Sequence, residues 1–251
     1  MIRPLLTASA LGFGLGMALP GHALDLESLS ASERTLLHAE IRAYLLENPE
    51  VIMEAVAVLE QRQAANQAQA DVDLVRVNAE ALFNDERDWV GGNPEGDITL
   101  VEFMDYRCGF CRRAHDEVTG LLAADGNIRF VVKEFPILGE ESVLASRFAL
   151  ATRQVAGDDA YKAVHDALMT YNGTMNEVGF TRLADTLGLD ANVILAAMDS
   201  EAVTQVIAAN HALAQRMQIN GTPSFVMGDQ MLRGYLPQDA MQQIADEIRS
   251  Q

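Results

Sequence analysis

The sequence predicts an α/β chain: a mixed sheet with helices on both faces, a helical block set between its strands, and a helical arm ahead of it. Three observations carry this. Apolar, β-branched runs at Ile98–Met104 and Ile128–Val132 flank a helical stretch long enough to be a parallel crossover. Helical periodicity then runs from Gly139 to about Met217. Two short strand-like segments, Ser224–Met227 and Gln230–Tyr235, meet at Gly228-Asp229 as a hairpin, which adds antiparallel neighbours to the parallel pair.

Along the chain, Arg3 precedes an apolar stretch from Leu5 to Leu19, the breaker Pro20-Gly21 and a small-residue end at Ala23. That order of charge, apolar core and cleavage site predicts a secretory signal peptide over residues 1–23. Residues 24–93 read as a helical arm and linker. Ser30 and Glu33 have capping-box spacing, and Leu37, Ile41 and Leu45 recur at helical intervals. Asn48-Pro49 predicts a second start, with Asn48 as cap and Pro49 in the first turn, where its missing N–H costs nothing. Ile52, Val56 and Leu59 continue the apolar stripe through a polar Gln61–Gln69 stretch, and Gly91-Gly92-Asn93-Pro94 reads as the linker. Two such helices cannot bury their apolar faces alone: either they fold back on the rest of the chain or, as the apolar run from Leu36 through Val58 favours, they pack against copies of themselves as a homo-oligomer.

Residues 94–251 form the second region. The strand at 98–104 carries one acid, Glu102, and is followed by a helix to about Ala124 and the turn Asp125-Gly126-Asn127. The helical block over about 139–217 breaks at Gly157-Asp158, Asn172-Gly173 and Gly188-Leu189-Asp190. Pro237 opens a last helix to Arg249. The net charge of −18 and the presence of only two lysines, Lys133 and Lys162, exclude nucleic acid as a partner, because phosphate binding needs clustered bases.

The chain's two cysteines, Cys108 and Cys111, stand in "DYRCGFC". A disulfide across so short a loop removes little entropy from the unfolded chain and is a poor staple. Structural zinc needs four ligands; His115 lies on the same helical face as Cys111, but a fourth ligand would have to come from far away. Cu(I) held by the two thiolates is an alternative. Redox chemistry fits best. A cysteine between a strand and a helix start meets unpaired N–H groups and the positive end of the helix dipole, which favour a thiolate, and Arg107, Arg112 and Arg113 would add positive potential. Cys108 is then the attacking sulfur and Cys111 the resolving one, and the pair itself is the redox group, with no further cofactor.

Two features add to the motif. Glu102 interrupts an apolar strand, and a buried carboxylate needs work or a partner; Lys133, at the end of the next strand, is a candidate partner. Gly221-Thr222-Pro223-Ser224-Phe225 sets a proline just before a strand; taken alone it reads as an ordinary turn, and beside the cysteine pair it also suits a tight, cis peptide whose exposed backbone could bind an extended substrate.

Together "TLVEFMDYRCGFC" and "GTPSF" resemble the thioredoxin superfamily, in its DsbA-like periplasmic branch with a helical domain inserted into the thioredoxin fold, over residues 96–251. The resemblance implies Cys108 as nucleophile, Cys111 as resolving thiol, Glu102 in proton transfer beneath them, and Thr222-Pro223 as the cis-proline loop. Gly109 and Phe110 would join that loop in binding substrate, and Lys133 would pair with Glu102. The N-terminal helices resemble those of the ScsC branch, where such a region supports oligomerisation. Threonine before the proline is similar to the pattern of isomerases and reductants. The implied function is periplasmic thiol–disulfide exchange on the thiols and disulfides of secreted proteins, reset by a membrane redox partner.

Overall fold

A computed structural model describes residues 28–250. The signal-peptide reading of residues 1–23 lies outside them. Contacts divide the chain into two compact units, one ending at Glu60 and the other beginning at Gln61.

In the first unit, α1 (Ala31–Glu47) begins with the expected capping box: Ser30 and Glu33 each bond the other's backbone N–H. Asn48, expected to cap the next helix, instead ends this one. Its backbone N–H and its side-chain Nδ2 both donate to the Tyr44 carbonyl, at 2.8 and 2.9 Å. Pro49 then leads into α2 (Glu50–Val77), which is unbroken through the Gln61–Gln69 stretch. No residue of α1 is buried, and Leu36, Ile41, Tyr44, Leu46, Ile52 and Met53 are exposed.

The second unit contains a five-stranded sheet in the order β1-β3-β2-β4-β5. β2 (Ile98–Met104) and β3 (Ile128–Glu134) are parallel, joined by α4 (Gly109–Asp125), which ends on Gly126 in the left-handed conformation at φ 70°. β4 (Ser224–Met227) and β5 (Gln230–Arg233) form the expected hairpin, with β4 antiparallel to β2. The block between them is five helices: α5 (Glu140–Ala156), α6 (Asp158–Thr170), α7 (Glu177–Thr186), α8 (Ala191–Ala197) and α9 (Glu201–Arg216). α10 (Gln238–Arg249) closes the chain.

Two features depart from the expectation. α3 (Ala79–Phe83) follows α2, and Trp89–Gly92, read as part of the arm and its linker, is the edge strand β1, antiparallel to β3. The pair of glycines hides a strand of only four residues. Trp89 anchors it, its ring tilted against Tyr161 and edge-on to Phe130.

The period of two along β2 and β3 sorts the core. Ile98, Leu100 and Met104 face one layer with Phe130, Val132, the α4 residues Val118 and Leu121, and most of the helical block. Val101, Phe103 and Val131 face another, with Val75, Leu82 and the α9 residues Leu213 and Ala214. The last turns of α2 and all of α3 therefore belong to the core of the sheet.

Candidate active site

The site is assembled where β2 hands the chain to α4. Asp105, just after β2, accepts from the backbone N–H groups of Arg107, Ile137 and Leu138 at 2.7, 2.8 and 3.0 Å, and its carbonyl accepts from the Cys108 N–H at 3.0 Å. This fully buried aspartate fixes the turn that aims Cys108; nothing in the sequence reading singled it out.

Cys108 is the N-cap of α4. Its sulfur accepts from the Cys111 N–H at 3.4 Å. The Cys111 thiol donates to it as the largest influence, and the Thr222 side chain and the backbone N–H groups of Cys111 and Phe110 also favour the thiolate. Against the cost of burial these bonds bring its pKa down to about 5. The sulfur is also 3.2 Å from the Thr222 carbonyl oxygen, a bond that only the protonated thiol donates. Cys111 is wholly buried; desolvation, its bond to Cys108 and the nearby Glu102 charge push its pKa far up. One sulfur is thus anionic at neutral pH and its neighbour holds its proton. Both are free thiols.

The Thr222-Pro223 peptide is cis and faces Cys108 through Thr222. Gly109 has open space where a Cβ would stand, and Phe110 is 61% exposed, so the tip of α4 presents bare backbone and one aromatic ring to solvent.

Glu102 is 2% exposed, and its Oε1 makes no hydrogen bond. Desolvation above all, then the charges of Cys108 and Glu134, raise its pKa to about 8. Lys133 is not its partner. Glu102 lies opposite Val132 in the parallel register, so Lys133, one residue on, points to the other face of the sheet. There its ammonium bonds the Asp88 carboxylate and the Ala81 carbonyl in full burial. The carboxylate on the Glu102 face is Glu134 of β3, wholly buried, accepting from Tyr106 at 2.7 Å, Tyr161 at 2.8 Å and Ser146 at 2.7 Å.

The three arginines are spent elsewhere. Arg112 donates to the carbonyls of Met169 and Tyr171 at 2.7 and 2.5 Å, tying the start of α4 to the end of α6. Arg107 pairs with Glu141 at 3.1 Å, and Arg113 lies 4.1 Å over the Tyr235 ring. Hydrogen bonds lead the lowering of the Cys108 pKa. His115, weighed as a third ligand to the cysteines, instead faces His165 and Asp166.

A parallel–antiparallel sheet with a Cys-X-X-Cys helix cap opposite a cis-proline defines a thioredoxin-like protein. Residues 99–248 match the model of the DSBA-like thioredoxin domain, and residues 33–66 that of the copper resistance protein ScsC N-terminal domain. The chain belongs to the DSBA-like thioredoxin family. The structure of a thioredoxin-like oxidoreductase from Silicibacter pomeroyi DSS-3 is similar at 48% identity and a TM-score of 0.65, covering 68% of this chain and 98% of that one. BcfH of Salmonella enterica Typhimurium is similar at 31% identity and a TM-score of 0.70, covering 84% and 94%. Among curated proteins, Na(+)/H(+) antiporter NhaA 1 of Salinispora arenicola is 25% identical over 91% of this chain and 34% of its own. The chain thus spans about a third of the length of the curated relatives it first matches. Among the described residues no helix is long and apolar enough to cross a membrane.

Proposed function

We propose that this protein is a thiol–disulfide oxidoreductase of the periplasm that acts on the disulfides of secreted proteins, with a preference for isomerising or reducing them. The observation that carries the reading is the asymmetry of the pair: an anionic Cys108 at a helix N-terminus beside a cis-proline, backed by a buried, protonated Cys111.

The Cys108 thiolate attacks one sulfur of a substrate disulfide, forming a mixed disulfide and expelling the other substrate sulfur as a thiolate. In isomerisation another thiolate of the same substrate attacks the substrate sulfur of the mixed disulfide, a new substrate disulfide forms, and Cys108 leaves as the thiolate. In reduction Cys111 loses its proton and attacks Cys108, releasing the substrate as a dithiol and leaving the Cys108–Cys111 disulfide. Two electrons pass to the substrate, and a membrane redox partner restores them. Glu102, half ionised near pH 8, serves in its carboxylate form as the base within the protein's interior that takes the Cys111 proton.

The backbone at Thr222-Pro223 binds an extended substrate segment, while Gly109 and the exposed Phe110 lie under it. The threonine before the proline supports the isomerase preference, as does the match of residues 33–66 to the ScsC N-terminal domain. Homo-oligomerisation through the exposed apolar side chains of α1 would present several thiols to one substrate. The signal-peptide pattern supports export, as does the likeness to a periplasmic thioredoxin-like protein of Salmonella enterica.

Refolding of scrambled ribonuclease tests the role. Recovery of activity from the scrambled form in redox buffer is expected; rapid oxidation of reduced ribonuclease without such recovery would make the protein an oxidase instead. A second reading, Cu(I) held between the Cys108 and Cys111 thiolates, draws on the copper resistance description of the match at residues 33–66. Anaerobic Cu(I) titration of the wild type against Cys108→Ser separates the two: tight stoichiometric binding without turnover of scrambled substrate would favour the metal.

A further inference from the structure

One helical turn beyond Cys111, α4 brings His115 against His165 and Asp166 of α6. A ring nitrogen of each histidine and a carboxylate oxygen of Asp166 all lie within 4.8 Å of one another. His115 Nε2 and Asp166 Oδ1 are 3.3 Å apart. That is roughly the spacing of two ligand atoms on a tetrahedral ion with bonds of about 2.0–2.1 Å.

Asp166 Oδ1 is a buried oxygen on a partly exposed side chain and makes no hydrogen bond, an arrangement that costs free energy unless a donor or a cation meets it. Lys162 is bonded to the other oxygen, Oδ2, so Asp166 offers one oxygen alone to the cluster.

His165 is set up as a ligand from behind. The Tyr106 hydroxyl has a single proton and donates it to Glu134 at 2.7 Å, so at 3.0 Å it accepts from His165 Nδ1. The proton is thereby fixed on Nδ1 and the lone pair left on Nε2, with a tyrosine and a carboxylate in line behind the ring, the outer support that metal-bound imidazoles have.

We propose that His115, His165 and Asp166 form a binding site for a divalent transition-metal ion of the zinc class, clipping the cysteine-bearing helix to the inserted helical block. The donors are two imidazoles and a carboxylate without sulfur, a set that suits Zn(II) and Co(II) and not Cu(I). The site is separate from the thiol pair and stands whether or not the exchange activity does.

The test uses the full chain with Cys108→Ser and Cys111→Ser, so that no thiolate competes for metal. Titration with Co(II) is expected to give a visible spectrum that saturates at one ion per chain without a sulfur charge-transfer band. Zn(II) is expected to displace the cobalt and to raise the melting temperature. Adding His115→Ala, or the nearly isosteric Asp166→Asn, is expected to abolish both signals while the far-ultraviolet circular dichroism stays unchanged. A thiol-free chain that takes up no cobalt, or one whose spectrum survives both substitutions in folded protein, would overturn the proposal.

Discussion

At Cys108 the order of the hydrogen-bond donors sets the reactivity. Because the Cys111 thiol contributes most and the Thr222 side chain less, Cys111→Ala is expected to raise the Cys108 pKa from about 5 by more than Thr222→Val does. Thiolate absorbance at 240 nm against pH reads both; equal or reversed effects would overturn that order of donors. Glu102 works in the other direction. Its folded pKa of about 8 lies above that of an exposed glutamate, so the folded chain keeps a proton that the unfolded chain has lost between pH 4.5 and 8. Stability falls as pH rises through that window. Glu102→Gln, which never ionises, is expected to flatten the fall, with an advantage over wild type at pH 8 on the order of 2–4 kcal/mol that vanishes near pH 4. Urea melts at the two pH values measure it.

At the scale of elements, the pairing of β1 with β3 decides which charge meets Lys133. Trp89 lies opposite Val132, so Asp88 continues the ladder to Lys133 on the face away from Glu102. Desolvation raises the Asp88 pKa to about 6 even against the pull of the lysine. Lys133→Met leaves that carboxylate buried without its cation and is expected to cost about 3–5 kcal/mol, much of it regained by adding Asp88→Leu. The titration of Glu102 is expected to be unmoved by Lys133→Met; a shift of more than a few tenths in its midpoint would restore the pairing that the register denies.

For the whole molecule, three buried acids share one sign. Glu102, Glu134 and Asp88 have pKa values raised to about 8, 7 and 6, each mainly by desolvation. His165 acts oppositely: with its pKa lowered to about 3, its contribution is complete above pH 6.5 and is lost as pH falls from there. Above that pH Cys108, its pKa lowered to about 5, opposes the acids, so the melting temperature is expected to change little from pH 7 to 8 in the wild type and to fall across that window once Cys108→Ser removes the thiolate. The division of the chain also makes a prediction about truncation. Val75 and Leu82 are core residues and β1 completes the sheet, so removal of residues 24–60 is expected to leave the catalytic unit folded and monomeric. Removal through residue 93 takes away part of the core and is expected to lower the melting temperature sharply. Sedimentation and calorimetry of the two truncations read assembly and folding separately.

Local chemistry made much of this protein legible in its sequence. A cysteine at a strand-to-helix junction is an N-cap wherever the chain folds, and a Gly-Thr-Pro ahead of a β-branched run is a tight turn, because both depend on neighbours a few residues away. The capping box at Ser30 and the hairpin at Gly228 are of the same kind. What lay beyond reading were contacts set by register and by packing across the sheet. Nothing near Lys133 in sequence says that Asp88, and not Glu102, will lie opposite it, since one residue of register turns a side chain to the other face. The seats of Asp105 against the chain after β3, of Glu134 among its three hydroxyl donors, and of His115 beside His165 were likewise decided only when distant segments were brought together. Short-range hydrogen bonds and backbone sterics are written along the chain; which buried charges meet depends on distant segments closing one low-dielectric interior.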